Sequence, residues 1–532
     1  MRAKLLISVA LPALLLAGCN SREGTSASYP SGPQEMAEAA DTAAVDPGAE
    51  RYAKNDISPI RAVAQAPVST FAVDVDTASY ANVRRFLTQG QMPPRDAVRA
   101  EELVNYFRYD YPAPETRGAP FSITTDVAQT PWNPETRLLR IGLRGYDLGR
   151  TQRPPANLVF LVDVSGSMDA PDKLPLVKRA LGLVADNMRA GDHVSIVVYS
   201  GAAGVVLDPT SRPEEVRAAL DDLSAGGSTA GGEGIELAYE LARKNFSADG
   251  INRVILATDG DFNVGITDQA QLEQLIEKER DDGITLTTLG FGQGNLNDAM
   301  MEAIADKGNG NYAYIDGIDE ARKVLDSELS STLFTIAKDV KVQVEFNPAE
   351  VSQYRLIGYE NRALQEQDFQ NDKVDAGDIG AGHQVTAIYE IVPAGAKGWL
   401  PDRHFAANRQ PESAGEGAGK GELAQVRLRY KLPEGGASRL ITQPVEASLM
   451  RGAAMPRGDL AFAVAVAGFA QKLRGDDLLG EWGYADVKRL AGAQWGFSQQ
   501  AWWRSEFLRL VDLADTQTRT ASVARREEDR AL

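Results

Sequence analysis

Asn157-Leu158-Val159-Phe160-Leu161-Val162-Asp163-Val164-Ser165-Gly166-Ser167 decides how the chain is read. Five large apolar residues in a row, from Leu158 to Val162, predict a strand covered on both faces. The run stops at a carboxylate, and small hydroxyl residues follow it. Helical spacing takes over at 174–188. The alternation then repeats: a strand at 194–199, helices at 214–223 and 234–246, a strand at 254–257, a helix at 269–281, a strand at 284–289, a helix at 296–306 and a strand at 312–315. Strand and helix in turn at this spacing predict an α/β domain with a mostly parallel, doubly wound sheet. Ligands of such sheets bind outside the carboxyl ends of the strands.

Three segments are placed to meet at that edge. Asp163-Val164-Ser165-Gly166-Ser167 ends the first strand. Thr229 lies in the glycine-rich loop Gly226-Gly227-Ser228-Thr229-Ala230-Gly231-Gly232. Asp259 follows the strand at 254–257, in Thr258-Asp259-Gly260. These residue types suit a hard divalent cation, which takes about six oxygen ligands and keeps some waters. Ser165, Ser167 and Thr229 offer neutral hydroxyl oxygens; Asp163 and Asp259 offer charge, directly or through water. Mg²⁺ is the expected ion, with Mn²⁺ or Ca²⁺ as alternatives. Two carboxylates balance the ion and leave it one ligand short. An Asp or Glu of a protein partner would complete the shell.

Asp-x-Ser-x-Ser, a later loop Thr and a later Thr-Asp-Gly resemble the metal-ion-dependent adhesion site of von Willebrand factor type A domains. The resemblance covers residues 155–332 and all five site positions match. Singly each piece is weak: Asp-x-Ser-x-Ser is also an ordinary helix-capping loop. The flanks resemble the accessory regions found around this domain in a family of bacterial lipoproteins. Two stretches carry that likeness: Ser69-Thr70-Phe71-Ala72-Val73-Asp74-Val75-Asp76-Thr77-Ala78-Ser79-Tyr80, and Arg355-Leu356-Ile357-Gly358-Tyr359-Glu360-Asn361-Arg362. The resemblance implies a metal-dependent binding module, not an enzyme.

The 532 residues exceed one ordinary core, so several domains are expected. A formal net charge of −18 argues against nucleic acid as a partner, since that needs a basic surface. Cys19 is the one cysteine, which excludes an intrachain disulfide and a zinc ribbon. Arg2 and Lys4, an apolar run over 5–16 and then Leu16-Ala17-Gly18-Cys19 read as a secretory signal, residues 1–18. Leu-Ala-Gly-Cys resembles the bacterial lipobox, which implies lipidation at Cys19. Asn20, where retained lipoproteins carry Asp, then implies the periplasmic face of an outer membrane. The chain is expected to sit on a membrane through its acyl chains without crossing it.

Residues 19–66 are rich in Ala, Ser, Gly and Pro and poor in large apolar residues, which predicts a disordered tether. An N-terminal accessory region is expected at 67–150, with strands at 121–127 and 138–143. A C-terminal accessory domain is expected at 336–515, β-rich at 340–346, 384–392 and 424–430, then helical. The doubly wound domain would thus be an insertion, and the strand runs before and after it could join in one sandwich, since their edges must be paired. Residues 460–470 read as a buried helix. Trp503, Phe507, Leu510 and Ala514 share one helix face, the usual pattern of a core stripe. The charged residues 516–532 are expected to fray.

Other signals are set aside. Asp74-Val75-Asp76 offers a second cation site or, more ordinarily, a cap for the helix that follows. Asp259-Gly260-Asp261-Phe262-Asn263 begins like a calcium loop but has Val264 and Ala270 where Gly and Glu are needed. Gly290-Phe291-Gly292 lacks the third glycine of a dinucleotide fingerprint, Asn295 standing there. Two other functions compete with partner binding. A metal-dependent hydrolase would need a general base, for which Glu233 and Asp261 are the candidates. A purely structural envelope protein would use the metal only as a staple.

Overall fold

The computed structural model describes residues 50–73, 76–114, 118–149, 152–226, 231–260, 269–328, 331, 333–401, 421–492 and 500–531. In chain order, β1 (Arg61–Ala62) and β2 (Val68–Ala72) precede α1 (Ala78–Thr88) and α2 (Ala100–Asn105). The long hairpin β3 (Phe121–Thr130) and β4 (Asn133–Gly145) follows. The α/β part comes next: β5 (Ala156–Asp163), α3 (Leu174–Asp186), β6 (His193–Tyr199), β7 (Ala203–Thr210), α4 (Pro213–Asp221), α5 (Gly231–Lys244) and β8 (Ile251–Thr258). It continues through α6 (Gln269–Asp281), β9 (Ile284–Phe291), α7 (Asp298–Lys307), β10 (Tyr312–Ile315) and α8 (Ile318–Arg322). Strands return as β11 (Thr335–Phe346), β12 (Val351–Ile357), β13 (Ala363–Leu364), β14 (Ile379–Gly380), β15 (Gln384–Pro393), β16 (Glu422–Lys431) and β17 (Arg439–Glu446). Helices close the chain: α9 (Ala447–Arg451), α10 (Gly458–Arg474), α11 (Tyr484–Ala491) and α12 (Ala501–Ala531).

The α/β sheet has the order β10-β9-β8-β5-β6-β7. Its pairings are parallel except at the β6–β7 edge. β5 is central and buried throughout, as its unbroken apolar run requires. Phe160 and Val162 pack with the α3 side, whereas Val159 and Leu161 pack with Ile235 and Tyr239 of α5. β7 was not read from the sequence. It is a half-exposed edge strand, so it lacks the continuous apolar signature of its neighbours.

The insertion is real in the chain path. One antiparallel sheet has the order β1-β12-β15-β4-β3, so β4 pairs directly with β15 across the inserted domain. The second has the order β13-β2-β11-β16-β17, with β14 beside β11. Both sheets therefore mix strands from before and after the insertion. They face each other as a sandwich: Phe346 of β11 packs on Tyr354 of β12, ring centroids 4.4 Å apart, and on Tyr389 of β15 at 5.3 Å. β4 buries both of its faces. Leu139, Ile141 and Leu143 enter the sandwich core, while Leu138 faces a helical layer with Ile357 and Ile388. That layer combines α1 and α2 with α10, α11 and α12. Phe507, Leu510 and Ala514 lie buried in it, as the stripe predicts, and α10 is buried nearly all round. No helix among the described residues is long and apolar enough to cross a membrane.

Three expectations need correction. Residues 50–66, assigned to the tether, are ordered as a strap. The Glu50 carboxylate pairs with Arg85 at 2.8 Å and accepts the Gly294 N–H at 2.9 Å. Arg51 N–H donates to the Leu296 carbonyl, β1 pairs with β12, and Val63 is buried. Composition misses this because polar bonds to distant elements, not apolar bulk, hold most of it. Residues 516–531 are not frayed; α12 runs through Ala531. Gln517 donates to the Leu87 carbonyl, and Thr516, Thr518 and Thr520 each bond the carbonyl four residues back. Asp76, finally, does not cap α1. Its carboxylate accepts the Tyr312 N–H at 2.8 Å and pairs with Arg362, tying β10 to the accessory region. Asp74 and Val75 lie outside the described residues.

Candidate metal centre

Asp163 is the last residue of β5, and Thr258 is the last residue of the adjacent β8. The register pairs Val162 with Ala257, so Asp163 and the Thr258-Asp259 step come out side by side. Asp163 accepts two bonds: the Ser165 N–H on one oxygen and the Thr258 hydroxyl on the other, both at 2.9 Å. This fixes the carboxylate and bends the chain after β5 back over the strand end. Met168 is fully buried and pins the short turn over Gly166–Asp169. The Ser165 and Ser167 hydroxyl oxygens stand 3.0 Å apart. Two adjacent oxygens on an octahedral ion with bonds of about 2.1 Å are separated by about 3 Å, so this pair fits an edge of such a shell.

Asp163, Ser165 and Asp259 are buried and Ser167 is exposed, so among the described residues the site opens at Ser167. Burial pushes the Asp163 carboxyl above the usual carboxylate range, and the nearby Asp259 pushes it the same way. Tyr199, the register partner of Asp163 on β6, forms the floor; burial first and Asp163 second hold its phenol well above its ordinary value. A hard cation would relieve the repulsion between the two carboxylates, so the donor set fits one.

Thr229 lies outside the described residues. The described start of its loop is nonetheless anchored at the site: Gly226 N–H donates to the Val164 carbonyl at 2.8 Å, and Ser200 bonds the Gly226 carbonyl. Gly260 holds φ +100°, and a Cβ there would lie 2.5 Å from the Asn297 nitrogen. Only glycine lets the Asp259 turn press against the loop between β9 and α7.

One member of the site was not read from the sequence. Lys173, just before α3, places its ammonium 2.8 Å from an Asp259 oxygen and 3.4 Å from the Asn295 side-chain carbonyl. A cation beside a helix N-terminus is electrostatically misplaced unless a carboxylate faces it, and that misfit was the one available signal. Of the candidate bases, Glu233 is exposed on α5 and Asp261 lies outside the described residues. His193 begins β6 at the opposite end of the sheet from the site.

Comparison with known proteins agrees with this architecture. The model of the von Willebrand factor type A domain matches residues 157–326. A model described as von Willebrand factor matches 46–140, and one described as the C-terminal part of uncharacterized protein YfbK matches 331–516. Uncharacterized protein YfbK of Escherichia coli strain K12 is 45% identical over 487 residues, covering 90% of this chain and 83% of that one. Inter-alpha-trypsin inhibitor heavy chain H3 of Mesocricetus auratus is 28% identical over 166 residues, covering 29% of this chain and 18% of that one. Among solved structures, the von Willebrand factor type A protein from Catenulispora acidiphila aligns with a TM-score of 0.39 and 17% identity, over 70% of this chain and 86% of that one. The match over most of both chains and the three domain matches together mean that the chain belongs to the YfbK family of proteins built around a von Willebrand factor type A domain.

Proposed function

We propose that this protein is an extracytoplasmic binding module, tethered to a membrane through lipid on Cys19. It holds a divalent cation, Mg²⁺ first, at Asp163, Ser165, Ser167, Thr229 and Asp259, and engages a protein partner that offers an Asp or Glu to the ion. The observation that carries the reading is the convergence of two buried carboxylates and two touching hydroxyls at the ends of adjacent strands, open at Ser167 among the described residues. Type A domains serve as protein-interaction modules, and none of the named relatives carries an enzymatic name. The ion would supply an electrophilic point for the incoming carboxylate. Asp163 and Asp259 would balance its charge, and the serines would hold it without neutralising it further. A hydrolase would need a free base beside that point, and Glu233 is solvent-facing. The outer membrane, periplasmic side, is the proposed location, on the strength of Leu16-Ala17-Gly18-Cys19-Asn20.

The test is paired. Calorimetry with Mg²⁺ or Mn²⁺ should show one ion per chain, lost in Asp163→Ala. Capture from envelope extract should require the metal and fail in chelator. Thr229→Ala should weaken capture while leaving thermal stability near that of the parent, because a loop hydroxyl supports no core. A metal–carboxylate contact of this kind acts as a hot spot of about 2 kcal/mol or more. Undiminished metal binding by Asp163→Ala would remove the site; equal capture with and without metal would move the partner elsewhere.

A further inference from the structure

Lys173 is held in the site and is not a chance surface contact. Its side chain is 10% exposed, and its partner Asp259 is fully buried. The stem runs over Gly292, at the end of β9, so closely that a Cβ there would lie 2.5 Å from its Cε. Gly292 also holds φ +66°, a conformation that glycine adopts without strain. The fold thus reserves a channel for this stem and delivers a positive charge to one of the two carboxylates.

We propose that the Lys173 ammonium is a resident counter-cation that couples the two ligands of the site. It weakens the hold on a free divalent ion and strengthens the hold of the metal-loaded site on a carboxylate. This rests on the metal reading given above. The charge count carries it. Asp163 and Asp259 alone carry −2, which one divalent ion neutralises, leaving little call for a further anion. With Lys173 the bare site carries −1. A divalent ion brings it to +1, and one partner carboxylate returns it to zero. Charges a few ångströms apart in a buried site interact strongly enough to change affinities by an order of magnitude. Lys173 therefore makes the metal-loaded, partner-free site the unfavourable state, so the ion and the carboxylate arrive together. A purely structural Lys173 would have no such effect on the order of binding.

The experiment titrates Mn²⁺ into the full chain and follows free Mn²⁺ by electron paramagnetic resonance, with and without acetate as the carboxylate probe. Lys173→Met should bind Mn²⁺ about tenfold or more tightly than the parent in the absence of acetate, and acetate should tighten its binding less than it does for the parent. Lys173→Gln, which keeps a donor toward Asp259, should behave as Lys173→Met does, and Lys173→Arg as the parent does. Circular dichroism confirms that each variant is folded, and Lys173→Gln decides should Lys173→Met fail to fold. Equal or weaker Mn²⁺ binding by the neutral variants, with Asp163→Ala still abolishing binding, would overturn the coupling role and leave the site intact. Parent-like binding by Asp163→Ala would instead overturn the metal reading itself, and the coupling with it.

Discussion

Replacing Arg355 by Met would test how the accessory region is held together. Arg355 lies on β12, 2% exposed, between the first sandwich sheet and the helical layer. Its Nε and Nη2 donate to one Glu390 oxygen at 3.0 and 2.8 Å, Nη1 donates to Asp476 at 2.5 Å, and Nη2 also reaches the Gln471 side-chain oxygen at 2.8 Å. Methionine keeps the stem and removes the charge. Glu390 would retain only the Trp132 indole and Thr136 hydroxyl as donors, and Asp476 the Leu478 N–H. Removing one partner of a buried ion pair costs about 3–5 kcal/mol, because the other charge stays buried. Urea unfolding followed by tryptophan fluorescence reports on this place, since Trp132 and Trp482 pack edge to face there, ring centroids 5.3 Å apart. With a slope of about 3 kcal/mol per molar urea, the midpoint should fall by about 1 M or more. The triple variant Arg355→Met, Glu390→Gln, Asp476→Asn should recover much of the loss, since no charge is then left unpaired. A midpoint within about 0.2 M of the parent for Arg355→Met, or a triple variant no better than the single, would refute this account.

Gly358→Ala should cost about 2 kcal/mol or more in the same assay, because Gly358 holds φ +85° and a Cβ there would lie 2.6 Å from the Glu101 backbone nitrogen. An unchanged midpoint would mean that α2 yields to the methyl group. Asp378→Asn should stabilise the protein at pH 8 and do little near pH 4. Burial, reinforced by Asp339 and Asp375 and opposed by Lys338, pushes the Asp378 carboxyl up to about 7. Stability from this group is fully present below its unfolded value near 4 and is lost as pH rises through 7, so the gain at pH 8 can reach about 4 kcal/mol. Thermal denaturation of both forms at the two pH values checks the sign, and a stabilisation independent of pH would contradict it.

The sequence yields the α/β domain almost element by element, because its central strands are buried on both faces, and β5 and β8 in particular read as apolar runs. The same logic explains what stayed hidden. β7 is an edge strand, β13 and β14 have two residues each, and short edges carry no periodic signal. At the site, Asp163, Ser165, Ser167 and Asp259 were legible because their residue types and their place at strand ends are local properties. Lys173 was not, because its role depends on where the channel over Gly292 leads. The stretch Arg355 to Arg362 was recognisable only as a likeness. The structure gives it a physical content: Arg355 and Glu360 bind the C-terminal helical region, the Tyr359 hydroxyl spans Asn105 and Thr386, and Asn361 and Arg362 reach Glu302 on α7.

That last set of contacts bears on how the site is supported. The loop between β9 and α7 touches Asp259's turn at Gly260 and Lys173 through Asn295. Its outer side is bound by the strap, through Glu50 to Gly294 and Arg51 to Leu296. The helix that follows it is gripped at its first residue: Asp298 pairs with Arg99 at 2.6 Å and accepts the Tyr312 hydroxyl at 2.9 Å. Here Asp298 is buried and paired with the buried Arg99, so moving the start of α7 means breaking a buried ion pair, which costs several kcal/mol. The accessory regions therefore act as a mount that holds the Lys173 side of the site in one geometry. The strap belongs to that mount and is also the part of the chain leading back toward Cys19.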